Sequence, residues 1–274
     1  MKKKVRRLLM VLCAAVFLVS SWMLLRDMLR SSRERGINSA LTQQVRQVRE
    51  EIKAAAPPAA DRSNLPEPPS PYAESGILRQ YDPLWQQNND LSGWLWIEET
   101  DIDYPVMYTP KRPEKYLRQN FYGKWAASGS LFIGEGSGPD APLVMVYGHH
   151  MRDGSMFGQL DKYQSEEYAK EHPIIHLDTL TEEREYEVVA AFRSRVYQVD
   201  EKGVFRYYRY ADLSDPEEFA RYLGAVRSAA LYDTGVEPQF GQRILVLSTC
   251  SYHTQNGRFV VVARQITPEA EEAS

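Results

Sequence analysis

Three residue types able to do acyl-transfer chemistry stand where apolar runs give way to polar ones. Cys250 follows the run Arg243 to Thr249 (RILVLST), His149 and His150 follow Val144 to Gly148 (VMVYG), and Arg258 precedes Phe259 to Ala263 (FVVVA). Together they supply a thiol nucleophile, a group that moves protons and a fixed cation for developing negative charge. A thiol with the usual pKa of about 8.5 is a weak nucleophile at neutral pH, so such a site must activate it. The chain has 2 cysteines, and Cys13 lies inside an apolar N-terminal run. With that run in a membrane, Cys250 is the only thiol outside and has no intramolecular disulfide partner. A free cysteine is commonly a buried, inert apolar residue. The imidazoles and the guanidinium at neighbouring strand ends point instead to use.

The elements that must hold these groups are short strands. Two β-branched, apolar runs flank the polar segment 251–257, which contains Gly257 and reads as strand, tight connection, strand. Leu143 to Tyr147 is a further strand that brings the two histidines to a rim. Adjacent residues on extended backbone point to opposite faces, so His149 and His150 cannot share one role. Spacing alone does not choose between them.

At these residues the sequence resembles the sortases, most closely class B. The motifs are, in chain order, DIDYPV at Asp101–Val106, YGHHMRDGSMF at Tyr147–Phe157, and LSTC at Leu247–Cys250 with Arg258 downstream, across Ile77 to Ile266. One position departs from the family signature: Val246 stands where Thr is usual, keeping the β-branched shape without the hydroxyl. The resemblance implies a mainly β fold, an eight-stranded barrel with N-terminal helices and one long helix inserted before the last strands. It implies that Cys250, His149 and Arg258 are catalytic and sit at one end of a groove, with His150 a wall or solvent residue. In the implied reaction Cys250 attacks the Thr carbonyl of a C-terminal sorting motif in a secreted protein, and an amine of a peptidoglycan precursor or a pilin resolves the thioacyl-enzyme. His149, when protonated, favours the thiolate and then protonates the leaving amine; Arg258 binds the oxyanion. Such two-step acyl transfer needs no cofactor. Ser248 and Thr249 are expected to position substrate, Tyr147 to line the groove and Ser251 to donate its backbone N–H; Ser248, Thr249 and Tyr147 could equally be packing residues. The alternatives are a pilus-polymerising sortase, a cysteine protease or amidase with water as acceptor, and a wall-binding module without catalysis.

The N-terminus places this chemistry at a membrane. Five basic residues within the first seven precede Leu8 to Leu25, an uncharged run of 18 residues. At about 1.5 Å per residue the run spans roughly 27 Å, enough for a hydrocarbon core. The positive-inside rule favours a cytoplasmic N-terminus and an extracellular catalytic domain, although Arg26, Arg30, Arg33 and Arg35 on the far side weaken the asymmetry. The competing reading is a cleaved signal peptide. The length of the run and the lack of a small-x-small site before Arg26 favour a retained, single-pass anchor.

The expected organisation is a cytoplasmic tail (1–7), an anchor (8–25), a stalk and Pro-rich linker (26–74), a catalytic domain (75–266) and a loose acidic tail (267–274). Within the stalk, Asp27 to Lys53 has helical spacing broken by Gly36 and reads as a solvated helix without a partner. Residues 54–71 (AAAPPAADRSNLPEPPSP) form an extended spacer. Ile77 to Leu91 reads as helical, and Pro105 demotes the strand at Ile102–Met107 to an edge or a bulged strand. Between Leu213 and Leu231, Ser214 or Asp215 can cap a helix that Pro216 opens, and Phe219, Tyr222, Leu223 and Val226 form its apolar stripe. By the resemblance this helix borders the substrate groove.

Other candidates are weaker. A net charge of −4 argues against nucleic-acid binding. Glu98, Glu99, Asp101 and Asp103 lack the bend glycine of a calcium loop and read as a solvated turn. His172 and His176 would suit zinc on a helix, but Pro173 and two isoleucines between them indicate a strand, and no local third ligand accompanies them. No metal is expected.

Overall fold

The computed structural model describes residues 2–55, 70–251 and 254–266. The expected spacer falls largely on 56–69 and the acidic tail on 267–274, both outside the described residues. The chain divides into two compact units, Met1–Ala40 and Leu41–Ser274.

The first unit is the N-terminal part of α1 (Lys2–Ala55). Its apolar side chains from Leu8 to Leu29 are exposed all round, and the helix is long and apolar enough to cross a membrane. Gly36 does not break it: one helical glycine costs only about 1 kcal/mol relative to alanine, and the flanking residues are good helix formers.

The second unit is a closed barrel of β1 (Leu91–Trp96), β2 (Asp103–Met107), β3 (Leu131–Ile133), β4 (Leu143–Tyr147), β5 (Ile174–Thr179), β6 (Glu185–Arg195), β7 (Ile244–Cys250) and β8 (Gly257–Gln265). Strand order is β1-β2-β3-β4-β7-β8-β6-β5, closing on β1. β2 with β3 and β4 with β7 are parallel pairs; the rest are antiparallel. Side chains alternate between two faces. Val144, Val146, Leu245, Leu247, Phe259 and Val261 fill the barrel, while Leu143, Met145, Val246, Val260 and Val262 face outward under a second apolar cluster.

That outer cluster is roofed by α4 (Pro216–Ala229), whose buried residues are Phe219, Tyr222, Leu223 and Val226. Asp215 caps it, its carboxylate accepting from the Glu218 N–H at 2.8 Å. Val246 is fully buried in this apolar layer, where a hydroxyl would need a partner.

Three local expectations are corrected. Of Ile77–Leu91 only Asp82–Gln87 (α2) is helical, because Asn88 turns extended and its side chain donates to the Tyr116 hydroxyl at 2.7 Å and the Phe121 carbonyl at 2.5 Å. β2 is not an edge: it pairs on both sides, and Pro105 is tolerated because the β3 ladder begins only at Val106. The stretch expected as a solvated stalk has a partner in its C-terminal part. Leu41 and Val45 are buried, Thr42 donates to the Asp103 carbonyl, and Arg46 pairs with the Asp103 carboxylate at 2.6 Å. One turn on, Arg49 pairs with Asp178 at 2.9 Å and donates to the Tyr81 hydroxyl. Helical spacing alone does not reveal which side chains meet another element.

Candidate active site

The register of three adjacent strands builds the site. Tyr147 is opposite Ser248 in the parallel β4–β7 pair, and Cys250 is opposite Arg258 in the antiparallel β7–β8 pair. On β7, Cys250 shares the outward face with Ser248 and Val246; on β8, Arg258 shares it with Val260 and Val262. The thiol and the guanidinium therefore emerge side by side on the outer face of the barrel, where the strands end.

His149 reaches the same place from the end of β4. Gly148 precedes it, and any Cβ there would collide with Leu131 and Phe157, so only glycine lets the chain pass. The His149 carbonyl accepts from the Phe157 N–H at 3.0 Å, which fixes its backbone. Its ring Nε2 lies 2.8 Å from the carbonyl of Leu117, in the 3-10 turn Lys115–Arg118. A carbonyl only accepts, so Nε2 carries the proton and Nδ1 is the nitrogen that titrates. Burial lowers the His149 pKa below its usual value; the Leu117 carbonyl opposes this, and Arg118 and Arg258 add to it. On balance the surroundings favour the neutral imidazole. A ring held toward its neutral form is suited to accept a proton.

A cleft of about 950 Å³ gathers these groups. Cys250, His149, Arg258, Tyr147, Ser248 and Thr249 all line it. Arg258 donates to the carbonyl of Gly257 at 3.0 Å and has no carboxylate partner among the described residues. Burial pushes the Tyr147 hydroxyl up to about 12 against the pull of Arg258, so it stays a neutral donor. The Tyr147 ring packs against Gly134, where a Cβ would strike it, and stacks on Phe132 at 5.7 Å. Ser248 is almost wholly buried and shares a hydrogen bond of 2.7 Å with the Tyr207 hydroxyl. Thr249 is equally buried, and its hydroxyl has no hydrogen-bond partner among the described residues.

Two candidates fall elsewhere. The Ser251 N–H, expected to serve the reaction, is spent on the Gly257 carbonyl at 2.9 Å, the bond that continues the β7–β8 ladder, and Ser251 does not line the cleft. His150 faces away toward Asp161, 3.2 Å from its carboxylate. Sequence reading missed Leu117, Tyr207 and Tyr208. Leu117 acts through a backbone carbonyl, which carries no residue signal. The tyrosines sit in a short 3-10 turn, Tyr207–Arg209, in the long connection between β6 and α4. The residues once weighed for zinc are otherwise engaged: His172 donates to the Glu98 carbonyl, and His176 stacks on Trp96 at 3.6 Å.

A strand-end thiol that shares a cleft with an imidazole and with a guanidinium lacking a carboxylate partner among the described residues has the parts of a cysteine acyl-transfer site. Comparison with known proteins gives the same class. The sortase domain family matches residues 95–266. Sortase B of Listeria monocytogenes is 30% identical over 188 residues, covering 67% of this chain and 73% of the relative. Among solved structures, a Staphylococcus aureus sortase B–substrate complex superposes with a TM-score of 0.70 at 22% identity, over 88% of this chain and 99% of that one. Sortase B from B. anthracis, in complex with AAEK1, gives 0.67 at 26% identity, over 88% and 99%. The chain belongs to the sortase family, in class B, and is a cysteine transpeptidase.

Proposed function

We propose that this sortase is a single-pass membrane enzyme, held by residues 8–25 with its N-terminus cytoplasmic, that joins secreted proteins to an amine of the cell wall. The domain expected at 75–266 carries the chemistry, and the packed turns of α1 from Leu41 onward belong to the same compact unit. The observation that supports the reading most is the shared cleft: Cys250 and Arg258 opposite each other on β7 and β8, with His149 beside them.

In this reading a sorting motif lies in the cleft with its scissile Thr carbonyl at Cys250. Nδ1 of His149 takes the thiol proton as sulfur attacks, and Arg258 stabilises the oxyanion. The imidazolium then gives the proton to the leaving amine, leaving a thioacyl-enzyme. The acceptor amine loses its proton to the same nitrogen, attacks the thioester and releases Cys250 as the thiol. Leu117 holds the ring throughout, and the buried Ser248–Tyr207 pair supports the cleft wall.

The test uses the full chain in detergent with a library of sorting-motif peptides, with and without candidate wall amines, read by mass spectrometry. Cleavage after Thr with amine-dependent ligation, absent in Cys250→Ala, is the expected result. Cleavage to the free acid with every amine tried, pilin lysines included, would reassign the enzyme as a protease.

A further inference from the structure

The chain has 5 tryptophans. Only Trp22 and Trp125 are largely exposed, at 59% and 62%. Trp22 lies in the apolar segment of α1. Trp125 lies on the connection between β2 and β3, where Tyr122 is also 47% exposed. These two rings stand out from a fixed backbone. The neighbouring Phe121 is buried, its carbonyl accepts from Asn88, and the Asn120 side chain accepts from the N–H groups of Tyr122 and Lys124 at 3.1 Å each. Gln119 and Trp125 close the loop in an antiparallel bridge. The loop thus holds two large aromatic side chains in solvent.

The same connection is strongly basic. Lys111, Arg112, Lys115, Arg118 and Lys124 against Glu114 give +4 within a chain of net −4. Lys115 is paired with Asp90. Lys111, Arg112, Arg118 and Lys124 are exposed, and none is in ion-pair contact with a carboxylate among the described residues. Amphipathic aromatic rings among exposed cations match the headgroup layer of an anionic bilayer, where Trp and Tyr settle and Lys and Arg gain from negative surface potential.

We propose that the β2–β3 connection docks the catalytic unit onto the anionic lipid surface of the membrane that holds α1. The proposal rests on the membrane-anchor reading. Docking would have a direct effect on the site. Arg112, Lys115 and Leu117 of this connection line the cleft, and Leu117 fixes His149. The contact therefore orients the cleft toward the bilayer, where a peptide or amine still attached to lipid is presented. Aromatic platforms also bind sugars, but four cations without a carboxylate partner among the described residues favour a polyanionic surface over a neutral glycan.

The experiment is hydrogen exchange on the full chain in nanodiscs of phosphatidylcholine alone and of phosphatidylcholine with phosphatidylglycerol. Amides of residues 119–126 should exchange severalfold more slowly in the anionic discs only. High salt should remove the protection, as should the combined variant Tyr122→Ser, Lys124→Glu, Trp125→Ser. Amides of β7 and β8 should be unchanged in every sample, which shows that the variant is folded. A chain that co-purifies with both discs and exchanges equally in them refutes the docking and leaves the anchor standing. A chain that co-purifies with neither refutes the anchor and the docking together. Protection that appears only when soluble wall-glycan fragments are added to phosphatidylcholine discs replaces lipid by carbohydrate and overturns the proposal.

Discussion

The cleft of Cys250 and a second cleft of about 680 Å³, lined by Arg49, Trp96, His176, Asp178 and Arg184, treat their guanidiniums in opposite ways. In the second cleft every guanidinium is consumed. Arg49 meets Asp178 and Tyr81, Tyr81 donates to Asp178 at 2.5 Å, and Arg184 reaches Pro139, Asp140 and Glu182 within 2.8 Å. Burial would lower the Arg49 pKa, but Tyr81 and Asp178 outweigh it and raise it. His176 is driven down to about 4 by burial and by Arg49, which locks it neutral on Trp96. In the first cleft Arg258 bonds only to its own hairpin carbonyls among the described residues. Saturated polar groups fasten α1 to the barrel; the Arg258 guanidinium stays available to a substrate.

Replacing residues in each cleft should separate these two roles. The largest effect is expected at the first cleft: Cys250→Ala abolishes ligation, His149→Ala lowers kcat/KM by about 10²- to 10⁴-fold, and Arg258→Ala lowers it by about 10²- to 10³-fold. Thermal unfolding should show all three melting with wild type; a large drop in Tm would mean that this cleft is structural as well. Next is Arg49→Met, which strands Asp178 at 3% side-chain exposure and should cost about 3–5 kcal/mol in urea unfolding. Its kcat per folded molecule should match wild type, and an equal loss of activity would erase the distinction.

Ser248→Ala sits between the two cases, since its hydroxyl is saturated by Tyr207 yet lines the active cleft. It should cost about 1 kcal/mol of stability, with KM changing more than kcat if the pair supports the wall. The smallest effect concerns pH. Proton acceptance by His149 requires the neutral ring, and its pKa lies below the ordinary 6.5. Activity should therefore fall on acidification through an apparent pKa below 6.5. Arg118→Gln removes a cation that favours the neutral ring, so this limb should move up, by about a few tenths of a pH unit for an exposed charge. A downward shift would contradict the assigned field.

Local chemistry made much of this readable in the sequence. The strands around Cys250 and His149 follow β-branched runs, and α4 follows from Asp215, Pro216 and a four-residue stripe that the structure buries entire. What stayed hidden depends on meetings between distant elements. Leu41 and Val45 look like any apolar pair on a helix until the barrel covers them. Pro105 signals a missing donor, but closure of the sheet decides whether that donor is needed. The Ser251 N–H was a plausible oxyanion donor until ladder pairing gave it to Gly257.

The facing positions of Cys250 and Arg258 have an engineering consequence. The gap between sulfur and guanidinium is set by counting rungs along one hairpin, from Ile244↔Arg264 to Cys250↔Arg258. A slip of one residue would turn every β8 side chain over, sending Arg258 into the barrel and Phe259 into the cleft. Lengthening the 251–256 connection leaves that count untouched, whereas a single insertion within Gly257–Gln265 resets it. The strand works as a ruler.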